Sequence, residues 1–176
     1  MTVKELSNAA DQDMRDHYIA SRFLAEEAKL LDQRRFAEWL KLVDDEVSYK
    51  VYMRLSAIDF DREVNPDAFH VHDDKRNLAL RVERAKSGSG WSELPPSRTL
   101  RLVGSIMVNR TDRDDVIEVE NALNLYRQRA STGPGDLIAV RRTDWLRMGE
   151  EGPKLLKRVV IPTDSSLNTP NLGVLL

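Results

Sequence analysis

Residues 100–162 read LRLVGSIMVNRTDRDDVIEVENALNLYRQRASTGPGDLIAVRRTDWLRMGEEGPKLLKRVVIP. Apolar runs of period two alternate here with clusters of turn-forming residues. In the first run Leu100, Leu102, Ile106 and Val108 form one alternating face that Gly104 interrupts. NRTDRDD at 109–115 then turns the chain. Ile117, Val119, Leu123 and Leu125 follow with the same period, and Gly133-Pro134-Gly135 makes the next turn. Ile138, Val140 and Leu146 oppose Leu137, Ala139 and Trp145 in a third run. MGEEGPK at 148–154 turns again before LLKRVVIP, the fourth. Alternation of this kind marks a strand with one covered face. Gly, Pro, Asn and Asp are the residues that tight turns need. Each connection is shorter than the dozen or so residues of a parallel crossover, so the runs are expected as an antiparallel meander.

Upstream the period changes. Between Met14 and Val43 the residues Tyr18, Phe23, Leu24, Ala28, Leu30, Leu31, Phe36, Trp39, Leu40 and Val43 recur in three- and four-residue steps. This is a helical stripe, either one bent helix or two, with Asp32 a candidate cap for the second. Val47, Tyr49, Val51 and Met53 alternate with polar partners as a strand. Residues 56–70 are polar around Asn65-Pro66 and read as a loop. From Asp73 to Lys86, Leu78, Val82 and Ala85 return to helical spacing, with Asp73 or Asp74 as N-cap. SGSG at 87–90 ends that helix. Helices first and hairpins later make an α+β fold: N-terminal helices packed into a strongly curved antiparallel sheet, mixed at most at one edge.

Composition excludes much of chemistry. The chain has 176 residues, 27 Lys+Arg, 29 Asp+Glu and a net charge of −2, with no cysteine and three histidines. That length suits a single domain over 1–176, with about 1–14 expected as a less ordered N-terminal arm. Without cysteine there is no disulfide, thiol nucleophile or iron–sulfur ligation in this chain. Balanced charge disfavours a nucleic-acid surface. Arg141-Arg142, flanked by acids, lacks the one-signed stripe with interleaved aromatics that such a surface uses. No apolar run reaches the roughly 18 residues of a membrane span, and the N-terminus lacks a signal-peptide core. A cytoplasmic location is therefore expected.

Three strings carry candidate chemistry, each beside an ordinary structural reading. His70-Val71-His72-Asp73-Asp74 offers two imidazoles and a carboxylate for an iron site, but a third spaced ligand is missing, and the string also reads as a solvated loop feeding an Asp-capped helix. His17 precedes the helical stripe and can serve as a general base where such a histidine projects into a cavity; surface and packed histidines are commoner. Asp44-Asp45 opens the first strand and can form an acid–base pair if buried together, although consecutive residues of a strand face opposite ways. No nucleophile elbow, phosphate loop or dinucleotide fingerprint is present, and SGSG lacks the strand–helix frame that a phosphate loop requires.

Several segments together resemble a known family. FLAEEAKLLDQRRFAEWLKLVDDEVSYKV at 23–51, HDDKRNLALRVERAKSGSGWSELPPSRTLRLVGSIMV at 72–108, YRQRA at 126–130, DLIAVRRTDWLRM at 136–148 and NLGVLL at 171–176 are similar to the small (β) subunits of aromatic-ring-hydroxylating dioxygenases. The most specific part is Leu31-Asp32-x-Arg34-Arg35-Phe36-x-x-Trp39-Leu40 together with Trp91-x-x-x-Pro95-Pro96-Ser97-Arg98-Thr99. The chain departs from the family pattern at His72, at Gly152-Pro153-Lys154 and across AIDFDREVNPDAFH at 57–70.

The resemblance implies a cystatin-like, or nuclear-transport-factor-like, roll. It implies a non-catalytic subunit that joins two further copies and three catalytic α subunits in a hexamer. The α subunits would carry a Rieske [2Fe-2S] cluster and a mononuclear Fe(II), receive electrons from NAD(P)H through separate proteins, and convert an arene to a cis-dihydrodiol. No catalytic, cofactor or metal residue is then expected in this chain. Trp and Arg are enriched at interface centres, so Trp91, Arg98, Arg101, Arg141, Arg142 and Trp145 are the expected interface anchors. Trp39 is a further candidate, and core packing is the alternative for each of the three tryptophans. The competing reading is a stand-alone dehydratase or isomerase of the same roll, using His17, Asp45, Tyr49 or His72 as an acid–base pair; a ligand-binding roll with a large apolar pocket is a third. The enzyme reading requires two of those side chains to meet in one cavity.

Overall fold

The computed structural model describes residues 3–59, 62–87, 97–128, 135–165 and 173–176, without the side chains of 3–9, 86 and 87. Helix α1 (Val3–Asp32) runs for 30 residues, so the segment expected as an arm is helical from Val3. Its buried residues Ala20, Phe23, Leu24, Glu27, Leu30 and Leu31 follow the three- and four-residue spacing of one face. Tyr18, read as part of that stripe, is exposed instead. The stripe divides after Asp32, where Arg34 takes φ +58 and the short helix α2 (Phe36–Trp39) begins. Asp32 does not cap it. The N-cap position is Arg35, with no side-chain cap bond, and Asp32 reaches across to the sheet. A 3-10 turn (Leu40–Leu42) leads into β1 (Val43–Arg54).

The segment 56–70, read as a loop, contains most of a strand, β2 (Val64–Asp73). Pro66 misled the reading, because proline has no N–H for a central ladder. β2 lies at the edge of the sheet, where proline is tolerated. Asn65 Oδ1 accepts the N–H of Asp67 at 2.9 Å, and the pairing with β1 is irregular there. Helix α3 (Lys75–Ser87) follows. Asp74 is its cap: Oδ1 accepts the N–H of Asn77 at 2.8 Å. Leu78 and Val82 are buried, whereas Ala85 is exposed.

β3 (Arg98–Arg110), β4 (Val116–Gln128), β5 (Asp136–Gly149) and β6 (Gly152–Pro162) pair antiparallel in sequence order, as the meander predicts. The open sheet has the order β2-β1-β6-β5-β4-β3. Its one parallel pair, β1 with β6, lies one strand in from the edge rather than at it. The expected single face of β3 is split. Leu100 and Leu102 are 55% and 63% exposed, while Ile106 and Val108 pack on the core. A register shift between Gly104 and Met107, with Ser105 at φ +51, causes this. An extra residue in one strand carries every later side chain to the other face. One cluster unites the helix faces of α1 and α3 with the inward positions of β1, β4, β5 and β6. The helices therefore cover one face of the sheet and leave the other open.

Candidate functional site

The inward face of the sheet carries more than hydrocarbon. Along β4 the series Ile117, Val119, Asn121, Leu123, Leu125, Arg127 is buried throughout. Along β5 the series is Ile138, Val140, Arg142, Asp144, Leu146, and along β6 Arg158 and Val160 face the same way. Glu27 sits inside the apolar stripe of α1. Burying a charge is costly unless it is paired and hydrogen-bonded, and these groups are. Arg158 donates from Nε to Asp144 Oδ1 at 2.6 Å and from Nη2 to Asp144 Oδ2 at 3.0 Å. Its Nη1 and Nη2 donate to the two oxygens of Glu27 at 2.8 and 2.7 Å. Trp39 Nε1 donates to Glu27 at 3.1 Å. Asn121 donates to Asp144 at 2.9 Å and accepts from Arg142 Nε at 2.7 Å. Glu27 and Asp144 balance Arg142 and Arg158 in charge.

The electrostatics follow from this arrangement. Burial pushes the Glu27 carboxyl up, but Arg158 and Arg142 outweigh it and hold the group at about 2. Burial opposes the charge of Arg158, yet Asp144 and Glu27 raise it well above the ordinary arginine value. Burial and the like charge of Arg158 lower Arg142. Burial raises the Tyr49 phenol, which keeps its proton and donates it to the backbone oxygen of Leu176. A second ion pair stands nearby. Arg101 bonds Asp32 through both its guanidinium and its backbone N–H, and reaches the Leu175 oxygen at 2.6 Å.

The residues singled out for acid–base chemistry do not meet. His17 and His72 are exposed, His72 lying on β2 opposite Lys50 with its ring 5.3 Å from that of Phe69. His70 is exposed on the same strand, which replaces the loop expected there. The Asp45 side chain is 98% exposed beside Lys75, whereas Asp44 is buried and held by Arg147 at 3.0 and 3.1 Å, so the two face opposite ways. Tyr49 is buried alone among the four. Among the described residues no group of three His, Cys, Asp or Glu is placed to hold a metal ion. No described helix is long and apolar enough to cross a membrane.

The expected interface anchors divide by face. Arg98 and Arg141 are exposed, and Trp145 is half-buried on the outer face with Lys157 Nζ 3.9 Å from its ring centre. Arg101 and Arg142 are buried inside the chain in the pairs just described, as is Trp39. Trp91 lies outside the described residues. An open cleft of about 430 Å³ beside Trp145 and Lys157 contains none of the proposed acid–base residues. Sequence reading missed Glu27, Asn121, Asp144 and Arg158. The available signal was a polar residue at an inward position of an otherwise apolar period, as Asn121 is between Val119 and Leu123.

An open six-stranded sheet with helices on one face, and a set of mutually paired charges within its apolar interior, define an α+β roll of the cystatin-like kind. Residues 26–168 match the family described as the ring hydroxylating beta subunit. The chain is 61% identical, over 176 residues and the full length of both proteins, to the N,N-dimethyl phenylurea N-demethylase subunit beta of Sphingobium sp. (strain YBL2). Among solved structures it is similar to naphthalene 1,2-dioxygenase with indole bound in the active site, with a TM-score of 0.83 and 25% identity, covering 93% of this chain and 87% of that one. The β subunit of benzoate 1,2-dioxygenase from Burkholderia mallei ATCC 23344 shares the fold, with a TM-score of 0.65 and 19% identity over 89% of this chain and 95% of that one. The chain belongs to the ring-hydroxylating β-subunit family, and so is the β subunit of an aromatic-ring-hydroxylating oxygenase with an α-subunit partner.

Proposed function

We propose that this chain is the non-catalytic support of the oxygenase: three copies with three α subunits form a cytoplasmic hexamer. The observation that carries this reading is the paired interior. Where a roll enzyme needs a cavity with a free acid and base, Glu27, Asp144, Arg142 and Arg158 bind one another. The α subunit would hold the Rieske cluster and the mononuclear iron, and NAD(P)H would supply electrons through separate proteins. This chain's residues do not fit either group, having no cysteine for a cluster and no clustered ligands among those described.

The outer face supplies the assembly surface. Arg98, Leu100 and Leu102 on β3 lie beside Tyr126 on β4 and Leu137 and Arg141 on β5, all exposed. A contiguous apolar face rimmed by arginine is what an interface centre requires. Leu100→Asp combined with Arg141→Glu is expected to leave the chain folded and to reduce co-purification with the α subunit, read by size-exclusion chromatography. Undiminished hexamer formation would move the interface elsewhere.

The substrate reading follows the relative that is 61% identical over the whole chain. The complex is proposed to oxidise an aromatic compound carrying an N-methyl group. One oxygen atom would hydroxylate the methyl carbon, whose C–N bond then breaks to release formaldehyde and leave an N–H; the other would take two protons and the two electrons from NAD(P)H and leave as water. The reconstituted complex, given N,N-dimethyl phenylurea and naphthalene in parallel, should release formaldehyde from the first. A cis-dihydrodiol from naphthalene without formaldehyde from the urea would place the complex among the ring dioxygenases.

A further inference from the structure

Residues 173–176 lie beyond the last strand and belong to none of the six, yet Leu176 is 1% exposed and forms part of the core. Side chains from three strands hold residues 175 and 176 there. Tyr49 of β1 uses one hydroxyl twice, donating to the Leu176 oxygen and accepting the Leu176 N–H at 2.8 Å. Arg158 of β6 donates to the same oxygen at 3.0 Å. Arg101 of β3 donates to the Leu175 oxygen. This is how a receptor grips a peptide: convergent donors on the backbone and an apolar socket for the side chain.

The grip is built without the tail. Glu27 and Asp144 fix Arg158, while Asp32 fixes Arg101, through contacts that do not involve residues 173–176. Such preorganisation lowers the ordering cost of binding. The cluster also has donors to spare. Arg101 Nε and Arg142 Nη2 are buried without an acceptor even with residues 173–176 in place. Without residues 173–176 the Tyr49 hydroxyl and one donor each of Arg101 and Arg158 would lose these acceptors; buried donors left unmade are costly, so the pocket favours an occupant that brings acceptor oxygens on an apolar body.

We infer that the interior of the roll is a peptide-binding site, occupied in cis by residues 173–176, for which Tyr49, Arg101 and Arg158 supply the backbone contacts and the core supplies a leucine socket. The tail is a separable plug, and the site takes the same segment in trans.

Two measurements test this. In the full-length chain assembled with its α partner, Tyr49→Phe should speed hydrogen exchange of the Leu176 amide by roughly tenfold or more while strand amides keep their protection. An unchanged Leu176 amide, or an equal loss of protection across the sheet, overturns the inference. A chain ending at residue 172 should regain thermal stability when acetyl-Gly-Val-Leu-Leu is added. The same peptide with its last leucine replaced by aspartate should have no effect, and Tyr49→Phe in the shortened chain should weaken the response. A shortened chain that folds but ignores the peptide, or one that does not fold even with the peptide present, overturns it equally.

Discussion

Arg158 shows how one residue can organise an interior. A guanidinium presents its donors in a fixed fork that matches carboxylates two at a time, and Arg158 meets Glu27 and Asp144 in this way while fully buried. Such a pair is weak evidence for net stability, but breaking it leaves an uncompensated buried charge. Glu27→Gln is therefore expected to cost about 3–5 kcal/mol in urea unfolding. Acid provides an independent check. The folded Glu27 carboxyl sits at about 2 against an ordinary 4.5. A depressed carboxyl contributes stability that is complete above its unfolded value and is lost as pH falls through the folded one. Stability should fall between about pH 4.5 and 2, by a few kcal/mol from this group, and the slope should flatten in Glu27→Gln. An unchanged slope would assign the acid sensitivity to other carboxylates.

At the scale of the element, local chemistry explains most of what was readable and most of what was not. The α3 cap was visible because Asp before a helical period accepts an early N–H. Asp74→Ala is expected to cost about 0.5–2 kcal/mol by thermal unfolding, with Asp74→Asn close to neutral. β2 was hidden by Pro66, since edge and central positions look alike in a string of letters. The bulge in β3 was hidden too. Ser105 carries a left-handed backbone that glycine adopts freely and a β-branched residue does not. Ser105→Gly should hold or raise stability within about 1 kcal/mol, whereas Ser105→Val should cost more than about 1 kcal/mol and disturb the packing of Ile106 and Val108. A tolerated valine would mean that the bulge relaxes. Asp32 failed as a cap for a related reason. Its bonds to Thr99 and Arg101 span 67 and 69 residues, beyond any local pattern.

For the whole molecule, the interior and the outer face divide the labour. The inner charges hold one another and residues 175–176, while Leu100, Leu102 and Leu137 stand exposed on the far side, the surface proposed above for assembly. The chain purified alone is expected to contain no iron by metal analysis and to be inactive, and to form a stable complex when co-expressed with its α subunit. Iron bound stoichiometrically to the isolated chain would contradict that division. The alternation of residues 100–162 and the helical spacing of 14–43 already specified an α+β fold with an antiparallel meander, because side-chain period depends only on backbone geometry. The motifs at 23–51 and 72–108 already pointed to the family. Period tells which face a residue takes but not what it meets there. Glu27 and Arg158 are 131 residues apart, and Tyr49 and Leu176 are 127 apart. Those partners meet because α1 and residues 175–176 pack on the inward face of the sheet, where β1 lies beside β6. The same packing buries Arg101 and Arg142, expected as surface anchors, and leaves His17, Asp45 and His72 exposed apart from the buried Tyr49.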